Sequence, residues 1–302
     1  MSEGKVLQSV GFIGAGAVGT ALAIALRRLG YPVMAAASRT TASAKALAAR
    51  VDGCEAVNGP QDVADRASLV FLTTPDDAIE AVAASVRWSQ GQGVVHCSGV
   101  KPAEALDAAK RQGAMVGTFH PFQTFASVDQ ALEDLPGITY GIEAEGELLQ
   151  SLESLAITLG GKPVQIPADA RAAYHASAII ACGYMVALAE AGAGLWEAAG
   201  LSRQDGLDAL VPLMGATVKN IGKQGTIQAF TGPLVRGDVG TVRLHLETLG
   251  RYAPHLVSLY CRLGLEALPL AAKKGRLSVD ARNELEGLLQ GRLVTEDQHA
   301  EA

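Results

Sequence analysis

Hydrophobic positions follow two different patterns along this 302-residue chain. In the first half, short apolar runs alternate with amphipathic stretches, which is typical of strands and helices in a parallel sheet. The apolar runs predict strands over Val10–Ile13, Val33–Ala37, Leu69–Leu72, Val94–His96, Met115–Phe119, Ile138–Ile142 and Lys162–Ile166. The amphipathic stretches predict helices over Ala17–Leu29, Thr41–Arg50, Asp77–Val86, Pro102–Arg111 and Glu147–Leu159. This half therefore predicts an α/β fold with a doubly wound, mostly parallel sheet.

The pattern changes at Pro167, after which strand-like alternation does not return. Asp169 is a suitable N-cap for a long helix that runs to about Ala199. Further helical patterns cover Arg203–Lys223, Val239–Ala253, His255–Lys274 and Val279–Gln290. We therefore predict two domains, an α/β domain over residues 1–166 and an all-helical domain over residues 167–302.

A glycine-rich turn joins the first predicted strand to the first predicted helix. Gly14, Gly16 and Gly19 form a GxGxxG pattern in the context that binds the pyrophosphate of a dinucleotide. The three glycines would allow, in order, a tight turn, close approach of the phosphates and packing of helix on strand. Ala17 and Val18 open the helix, whose free N–H groups would face the anion. The alternative is a glycine-rich joint that binds nothing.

The end of the second predicted strand bears on which dinucleotide would bind. NAD enzymes usually carry an Asp or Glu there for the ribose hydroxyls, whereas this chain has Ser38, Arg39 and Thr40. These side chains can donate to a 2′-phosphate, so the sequence favours NADP(H). Alternatively, Arg39 merely begins a solvated helix. After the predicted strand Leu69–Leu72, Thr73, Thr74 and Pro75 are expected to pass beside the adenine-side ribose and the pyrophosphate.

Polar residues with catalytic chemistry follow the next two predicted strands. Ser98 and His120 lie where the nicotinamide is expected, and each can hydrogen-bond a carbonyl oxygen or pass it a proton. We place His120 just past its strand, before Pro121, while His96 is more typical of a structural residue inside its strand. Gln123 is a candidate substrate contact at the same edge.

The helical half carries further candidates. His175 is the titratable group of an otherwise uncharged apolar run over residues 172–189, where it is either a core residue or one that faces a cleft. Thr231 and Arg236 belong to a compact loop that can bind a carboxylate. The alternative is that this loop only caps the following helix and is held together by its own contacts. Asn220 is a third candidate for orienting a carboxylate.

Composition and motifs exclude several other classes of function. The net charge is −6, and no basic run suggests nucleic-acid binding. The four cysteines are widely spaced and no metal-ligand motif is present, so we expect neither a disulfide framework nor a metal site. The run over residues 172–189 approaches the length of a membrane span, but its polar members and many alanines predict a buried helix in a soluble protein. With no signal-like N-terminus, we expect a cytoplasmic protein without a membrane partner.

These pieces resemble a family of two-domain NADP-dependent proteins with a Rossmann-like N-terminal domain and a helical C-terminal domain of initially unknown function. The alternative ketopantoate reductase belongs to that family. The matching stretches are Gly11–Gly16 with Val18–Gly19, Gly117–Phe125, Tyr174–Ala176, Thr231–Asp238 and His245–Leu246. The chain departs from the family at Cys182–Gly183, near the place where members usually carry an Asn.

The chain is more distantly similar to prephenate dehydrogenases, pyrroline-5-carboxylate reductases and 3-hydroxyacid dehydrogenases. In the first of these, a Ser and a His at the matching strand ends engage the reacting hydroxyl. The resemblance implies functional roles for His120, His175 and Arg236. It also implies a homodimer through the C-terminal helices, with the loop that begins at Thr231 near the cofactor of the partner.

These observations lead to one main hypothesis of function and two alternatives. The chain is expected to be an NADP-dependent reductase of a small carboxylated 2-oxo acid similar to ketopantoate. His120 or His175 would supply the proton and Ser98 would hold the substrate oxygen, while Asn220, Thr231 and Arg236 orient the carboxylate. The alternatives are a cyclic-imine reductase or prephenate-type dehydrogenase on the same scaffold, and a catalytically silent NADP sensor.

Overall fold

The computed structural model describes residues 9–300, with side chains as far as residue 293. The chain divides into two compact units, one ending at Ile180 and the other beginning at Ala181. The sequence predicted a boundary near Ile166. Residues 167–180 instead group with the sheet-containing unit, because the first turns of the following helix pack their side chains against strand ends.

The first unit is built on a single eight-stranded sheet among the described residues. Its strands are β1 (Val10–Ile13), β2 (Val33–Ala37), β3 (Glu55–Ala56), β4 (Leu69–Leu72), β5 (Gly93–His96), β6 (Met115–Phe122), β7 (Thr139–Glu143) and β8 (Lys162–Gln165). Their order is β3-β2-β1-β4-β5-β6-β7-β8, and every neighbouring pair is parallel except β6 and β7. The predicted fold class, a doubly wound and mostly parallel α/β sheet, is confirmed.

Helices cover this sheet and enclose two hydrophobic cores. They are α1 (Ala17–Arg28), α2 (Thr41–Ala48), α3 (Pro60–Ala64), α4 (Ile79–Ser85), α5 (Asp107–Lys110), α6 (Val128–Asp134), α7 (Gly146–Thr158) and α8 (Arg171–Ala178). A row of aromatic rings crosses one core from β1 to β7: Phe12 stacks on Phe71, Phe71 meets Phe119 edge-on, and Phe119 stacks on Tyr140. These contacts fix the central strands, which carry the candidate site at their carboxyl ends.

The predicted end of β6 is wrong, and the error changes the position of His120. The strand continues through Pro121 to Phe122, so His120 lies inside it and pairs with Gly141 of β7. A proline ordinarily interrupts a ladder because it lacks an N–H. Here β5 ends opposite Thr118, so beyond that residue β6 pairs with β7 alone, and the proline is tolerated at a free strand edge.

The second unit is helical, as predicted. A π-helical turn over Ile179–Gly183 leads into α9 (Tyr184–Ala198), followed by α10 (Arg203–Ala229), α11 (Pro233–Arg236), α12 (Val239–Tyr252), α13 (Val257–Lys273) and α14 (Val279–Ala300). Its core is formed by apolar residues of α12, α13 and α14, including Val242, Leu246, Leu268 and Leu289. Helix α10 extends beyond the predicted Lys223, with a non-helical glycine at Gly225 near its end.

The apolar run over residues 172–189 is not the buried helix that the sequence predicted. None of its residues is buried, and Ile180, Tyr184 and Val186 are 67%, 58% and 72% exposed. The surrounding helical stretch, Ala168–Ala198, is long and apolar enough to cross a membrane, although a single such helix is weak evidence for a membrane protein. Hydrophobic character along a sequence does not distinguish a helix buried in its own chain from one covered by a partner.

Candidate active site

A cleft of about 850 Å³ lies at the carboxyl ends of β1, β2 and β4. In sheets of this kind, ligands bind beyond the carboxyl ends of the strands. The cleft is lined by Ile13, Gly14, Ala15, Gly16, Ala37, Ser38, Arg39, Thr40, Ser43, Asn58, Pro60, Thr73, Thr74, Pro75, Asp77, Ala78 and Val82. It therefore includes most of the residues predicted to bind a dinucleotide.

The three glycines of the turn differ in what surrounds them. Gly14 has a φ of +114°, and a Cβ there would lie 2.5 Å from the backbone of Thr73. A Cβ at Gly19 would lie 2.4 Å from Thr73 Oγ1, so Gly19 permits packing of α1 against the end of β4. Gly16, by contrast, has open space where a Cβ would be, which leaves room for a ligand to approach the backbone. Ala17 and Val18 begin α1.

Two threonines at the end of β4 complete this part of the cleft. The Thr73 hydroxyl donates to the Gly14 carbonyl over 2.8 Å and so ties β4 to the glycine turn. The Thr74 hydroxyl is buried and has no hydrogen-bond partner within the described chain. A buried polar group usually has a partner, so a ligand that supplies one fits the site. The open face of Gly16 and this hydroxyl are both compatible with a bound dinucleotide.

The end of β2 is polar and carries no carboxylate. Ser38, Arg39 and Thr40 line the cleft, and the hydroxyls of Thr40 and Ser43 are 2.6 Å apart. The sequence did not single out Ser43, although its place in the first turn of α2 points to this cleft. Asn58 was also missed, because it follows the two-residue strand β3, which is too short to leave a hydrophobic pattern.

A second group of polar side chains centres on His120. Its Nδ1 lies 2.8 Å from the Tyr174 hydroxyl, and its ring meets that of His175 edge-on, with centroids 6.1 Å apart. A Cβ at Gly99 would lie 2.5 Å from His175 Nδ1 and 2.9 Å from His120 Nε2. Gly99 therefore leaves room for both imidazoles, and both ring nitrogens lie against it. Gly141, opposite His120, similarly leaves room for Tyr174, since a Cβ there would lie 2.7 Å from the tyrosine hydroxyl.

The environment of this cluster keeps the imidazole of His120 neutral. Burial is the main cause that lowers the pKa of His120 to about 4, and the charge of Arg171 and the rings of His175 and His96 act in the same direction. Burial also raises the pKa of Tyr174. The Nδ1 atom of His175 is buried without a hydrogen-bond partner in the described part of the chain. A buried polar atom usually has a partner, so this unpartnered nitrogen marks the cluster as a candidate site.

Arg171, which the sequence did not single out, anchors the helix that carries Tyr174 and His175. Its side chain is fully buried and donates to Thr118 Oγ1 over 2.8 Å and to the Ser98 carbonyl over 2.6 Å. Residues one turn apart share a helix face, so these bonds also place Tyr174 and His175 against the sheet. Its position at the start of the uncharged run was the available signal, because a charge beside such a stretch needs a specific partner.

The hydroxyl of Ser98 does not have the free donor that the hypothesis assigned to it. It donates to Asp76 Oδ2 over 2.7 Å and accepts from the backbone N–H groups of Val100 and Lys101. Ser98 therefore stabilises the loop after β5. His96 is fully buried, accepts from the Ser98 N–H at Nδ1 and lies 3.0 Å from the Pro102 carbonyl at Nε2, consistent with its predicted structural role.

The predicted substrate contacts are all solvent-exposed, and they lie on both units. Gln123 follows β6 in the first unit, while Asn220, Thr231 and Arg236 belong to the second. Asp238 caps α12 by accepting from the backbone N–H and the hydroxyl of Thr241, and Arg236 lies 3.9 Å from it. The predicted helix cap and the ion pair within the loop are therefore both present, and the guanidinium of Arg236 remains largely open to solvent.

No metal-ligand cluster of three or more His, Cys, Asp or Glu occurs among the described residues.

Two family models match successive parts of the chain, and the second begins within the sheet-containing unit. Residues 4–121 match the Rossmann-like domain, and residues 138–267 match a domain of unknown function, DUF2520. The chain combines a Rossmann-like domain with a DUF2520 domain. The predicted resemblance is thereby confirmed for the combination of these two domains. A comparison with curated proteins finds no match.

Solved structures share the whole architecture. A protein from Bacteroides fragilis described as an NADP oxidoreductase is 26% identical, with a TM-score of 0.69 over 87% of this chain and 98% of its own. The protein TM1727 from Thermotoga maritima is 27% identical, with a TM-score of 0.71 over 88% and 99%. An imine reductase from Pseudomonas sp. is 22% identical, with a TM-score of 0.62 over 92% and 99%, and shares the fold.

The depressed pKa of His120 predicts a specific dependence of stability on pH. Between about pH 6.5 and about pH 4 the unfolded chain binds a proton at His120 that the folded chain does not, so stability falls as the pH falls. We expect His120→Asn to reduce the slope of the unfolding free energy in that range by up to about 1.4 kcal/mol per pH unit. Urea unfolding of wild type and His120→Asn at several pH values measures these slopes. Equal slopes would contradict the lowered pKa of His120.

Proposed function

We propose that this protein is an NADP-dependent reductase that transfers a hydride to a polarised double bond of a small substrate. The observation that carries the proposal is the cleft at the ends of β1, β2 and β4, with its open glycine, its unpartnered threonine hydroxyl and its carboxylate-free strand end. The likeness to an NADP oxidoreductase of the same architecture supports it.

The preference for NADP(H) follows from charge. A carboxylate at the end of β2 would bind the two ribose hydroxyls of NAD and repel a 2′-phosphate. In this chain the end of β2 carries Ser38, Arg39 and Thr40, and Ser43 lies beside them. These residues supply hydroxyl donors and one guanidinium. Arg39 is exposed and lines the cleft, so its guanidinium can contact a phosphate there.

The histidine cluster supplies the proton. Bound NADPH provides the hydride, and the oxygen or nitrogen of the reduced bond then needs a proton. In the tautomer in which His120 Nδ1 accepts from the Tyr174 hydroxyl, Nε2 carries a proton and lies against Gly99. Transfer from Nε2 can be balanced by the tyrosine proton moving to Nδ1. His175 Nδ1 also lies against Gly99 and has no partner in the described chain, so His175 is the second candidate for the proton donor.

The substrate that we propose is a small carboxylated 2-oxo acid similar to ketopantoate. Gln123, Asn220, Thr231 and Arg236 are its candidate carboxylate contacts, because they present exposed amide, hydroxyl and guanidinium donors. A cyclic imine with a carboxylate, or a prephenate-type substrate, is the alternative on the same scaffold. A silent NADP sensor is disfavoured by the convergence of two imidazole nitrogens beside a glycine, which cofactor binding alone does not require.

We also propose a homodimer, acting in the cytoplasm and formed through α9 and α10. These helices expose apolar side chains, among them Val186 at 72%, Val211 at 60% and Leu213 at 62%. An exposed apolar surface of this kind usually marks a protein–protein interface. A second copy presents the same helices, and two-fold symmetry allows such a surface to bury itself.

The dimer predicts a change in assembly when one side chain on this surface is charged. We expect wild type to sediment as a dimer and Val186→Glu to shift it toward the monomer, because the new carboxylate would be desolvated at the interface. Ile157→Glu on α7 is the matched control, since Ile157 is similarly exposed but lies on the other unit. A monomeric wild type at micromolar concentration would contradict the dimer.

Cofactor choice is tested at Arg39. We expect Arg39→Ala to weaken NADPH binding by about 10- to 100-fold, the usual range for loss of a charged hydrogen bond, and to leave NADH binding unchanged. Lys45→Ala removes an equal charge from α2 outside the cleft lining and serves as the control. Cofactor fluorescence titration measures both constants. Equal losses for NADPH and NADH would contradict a 2′-phosphate contact.

Proton transfer is tested at the two histidines. We expect His120→Ala or His175→Ala to lower kcat by about 10²–10⁴-fold, the usual contribution of a positioned acid, and to leave NADPH binding intact. Tyr174→Phe should show a smaller loss, since it removes only the partner of His120. NADPH oxidation in the presence of ketopantoate, or of a cyclic imine, measures the rates. Near-normal turnover in both alanine variants would exclude this cluster as the proton source.

A further inference from the structure

Ser98 uses every hydrogen-bonding capacity of its hydroxyl in the loop that follows β5. A serine hydroxyl can donate one hydrogen bond and accept two. Ser98 Oγ donates to Asp76 Oδ2 over 2.7 Å and accepts from the N–H groups of Val100 and Lys101 over 3.3 and 3.0 Å. Its carbonyl accepts from Arg171 Nη2 over 2.6 Å. Ser98, which is only 5% exposed, is therefore fixed by bonds to the turn after β4, to its own loop and to α8.

Gly99, the next residue, is in close contact with both imidazoles of the histidine cluster. It is buried, and a Cβ built on it would lie 2.5 Å from His175 Nδ1 and 2.9 Å from His120 Nε2. These distances leave no room for a side chain, so the backbone of Gly99 lies directly against both rings. Because interiors are close-packed, a displacement of this backbone must be taken up by the rings.

The acceptor of the Ser98 hydroxyl belongs to the turn that borders the dinucleotide cleft. Asp76 begins the single 3-10 turn Asp76–Ala78 after β4. Pro75 and Asp77, on either side of Asp76, both line the cleft. A cofactor in the cleft therefore lies against the same turn that holds Ser98.

From these contacts we infer that Ser98 is a positioning residue, which through Gly99 fixes the imidazoles of His120 and His175 relative to the cofactor cleft. The inference rests on the proposed reductase function and gives Ser98 a different role from that of holding the substrate oxygen. Its hydroxyl has no capacity left for a substrate, so Ser98 acts through geometry. Misplacement of a reacting group by about 1 Å can cost about 100-fold in rate, so such a role has a measurable effect.

Removal of the hydroxyl should separate rate from cofactor binding. We expect Ser98→Ala to lower kcat by about 10- to 100-fold and to keep the Kd of NADPH within about twofold, because the rings lose their position while the cleft lining is unchanged. The matched control is Ser68→Ala, since Ser68 Oγ also donates to a carbonyl and accepts from an N–H, both of Ser9, but precedes β4 at the other end of the strand. NADPH oxidation with ketopantoate or a cyclic imine gives kcat, and cofactor fluorescence gives Kd. An unchanged kcat in Ser98→Ala, or an equal loss in Ser68→Ala, would overturn the inference.

The bond between Ser98 and Asp76 can also be tested from its exposed end. Asp76→Ala removes the acceptor and should lower kcat as Ser98→Ala does, whereas Asp76→Asn keeps an acceptor oxygen and should restore most of that rate. These variants also serve if Ser98→Ala does not fold, because Asp76 is exposed and the other bonds of the loop remain. Equal losses in the two Asp76 variants would contradict a role for the hydrogen bond.

A double-mutant cycle tests the route through Gly99. Gly99→Ala displaces the two rings directly, so it should lower kcat at least as much as Ser98→Ala. If Ser98 acts through Gly99, the double variant should be within about threefold of Gly99→Ala alone, whereas independent effects would multiply. A multiplicative loss in the double variant would overturn the route.

An NMR measurement that needs no turnover separates failure of this inference from failure of the proposed function. In the cofactor-free protein, the imidazole signals of His120 and His175, assigned through His120→Asn and His175→Asn, should shift in Ser98→Ala and in Asp76→Ala. They should keep their wild-type positions in Ser68→Ala. If wild type oxidises NADPH with no oxo acid or imine, the reductase proposal fails, and the shifts still decide whether Ser98 fixes the rings. Unchanged signals in Ser98→Ala would overturn the inference whatever the rates.

Discussion

Parallel pairing of the central strands is the constraint on which this molecule depends. Because β1, β2, β4, β5 and β6 run in one direction, their carboxyl ends meet at one edge of the sheet. The cleft of the glycine turn and the cluster around His120 are both consequences of that alignment. The strands themselves are held by a continuous row of aromatic rings, so that the functional edge rests on a close-packed core.

Features that depend on local backbone geometry were predictable from the sequence. The roles of Gly14, Gly16 and Gly19 follow from the need for a tight turn, an open face and close packing, and the structure shows each of them. Features that depend on which strands pair with each other were harder to predict from the sequence. The two residues of β3 leave no pattern, and the strand position of His120 depends on β5 ending where it does.

Burial of polar and apolar groups was the other source of error. A sequence shows that Arg171 is charged but not that it is enclosed, and it shows that Ser98 has a hydroxyl but not that neighbouring N–H groups and Asp76 already engage it. The same limit applies to the apolar run over residues 172–189. The sequence showed that this run is hydrophobic, but it did not show that none of its residues is buried.

The central claim is that this chain transfers a hydride from NADPH to a small substrate. The most direct measurement uses NADPH that carries deuterium at the transferable position of the nicotinamide, with ketopantoate as substrate and mass spectrometry of the product. The account predicts one deuterium on the carbon of the former carbonyl, and loss of that product in the His120→Ala and His175→Ala variants. A protein that binds NADPH tightly and yields no deuterated product from any oxo acid or imine would contradict the account and identify the chain as a sensor.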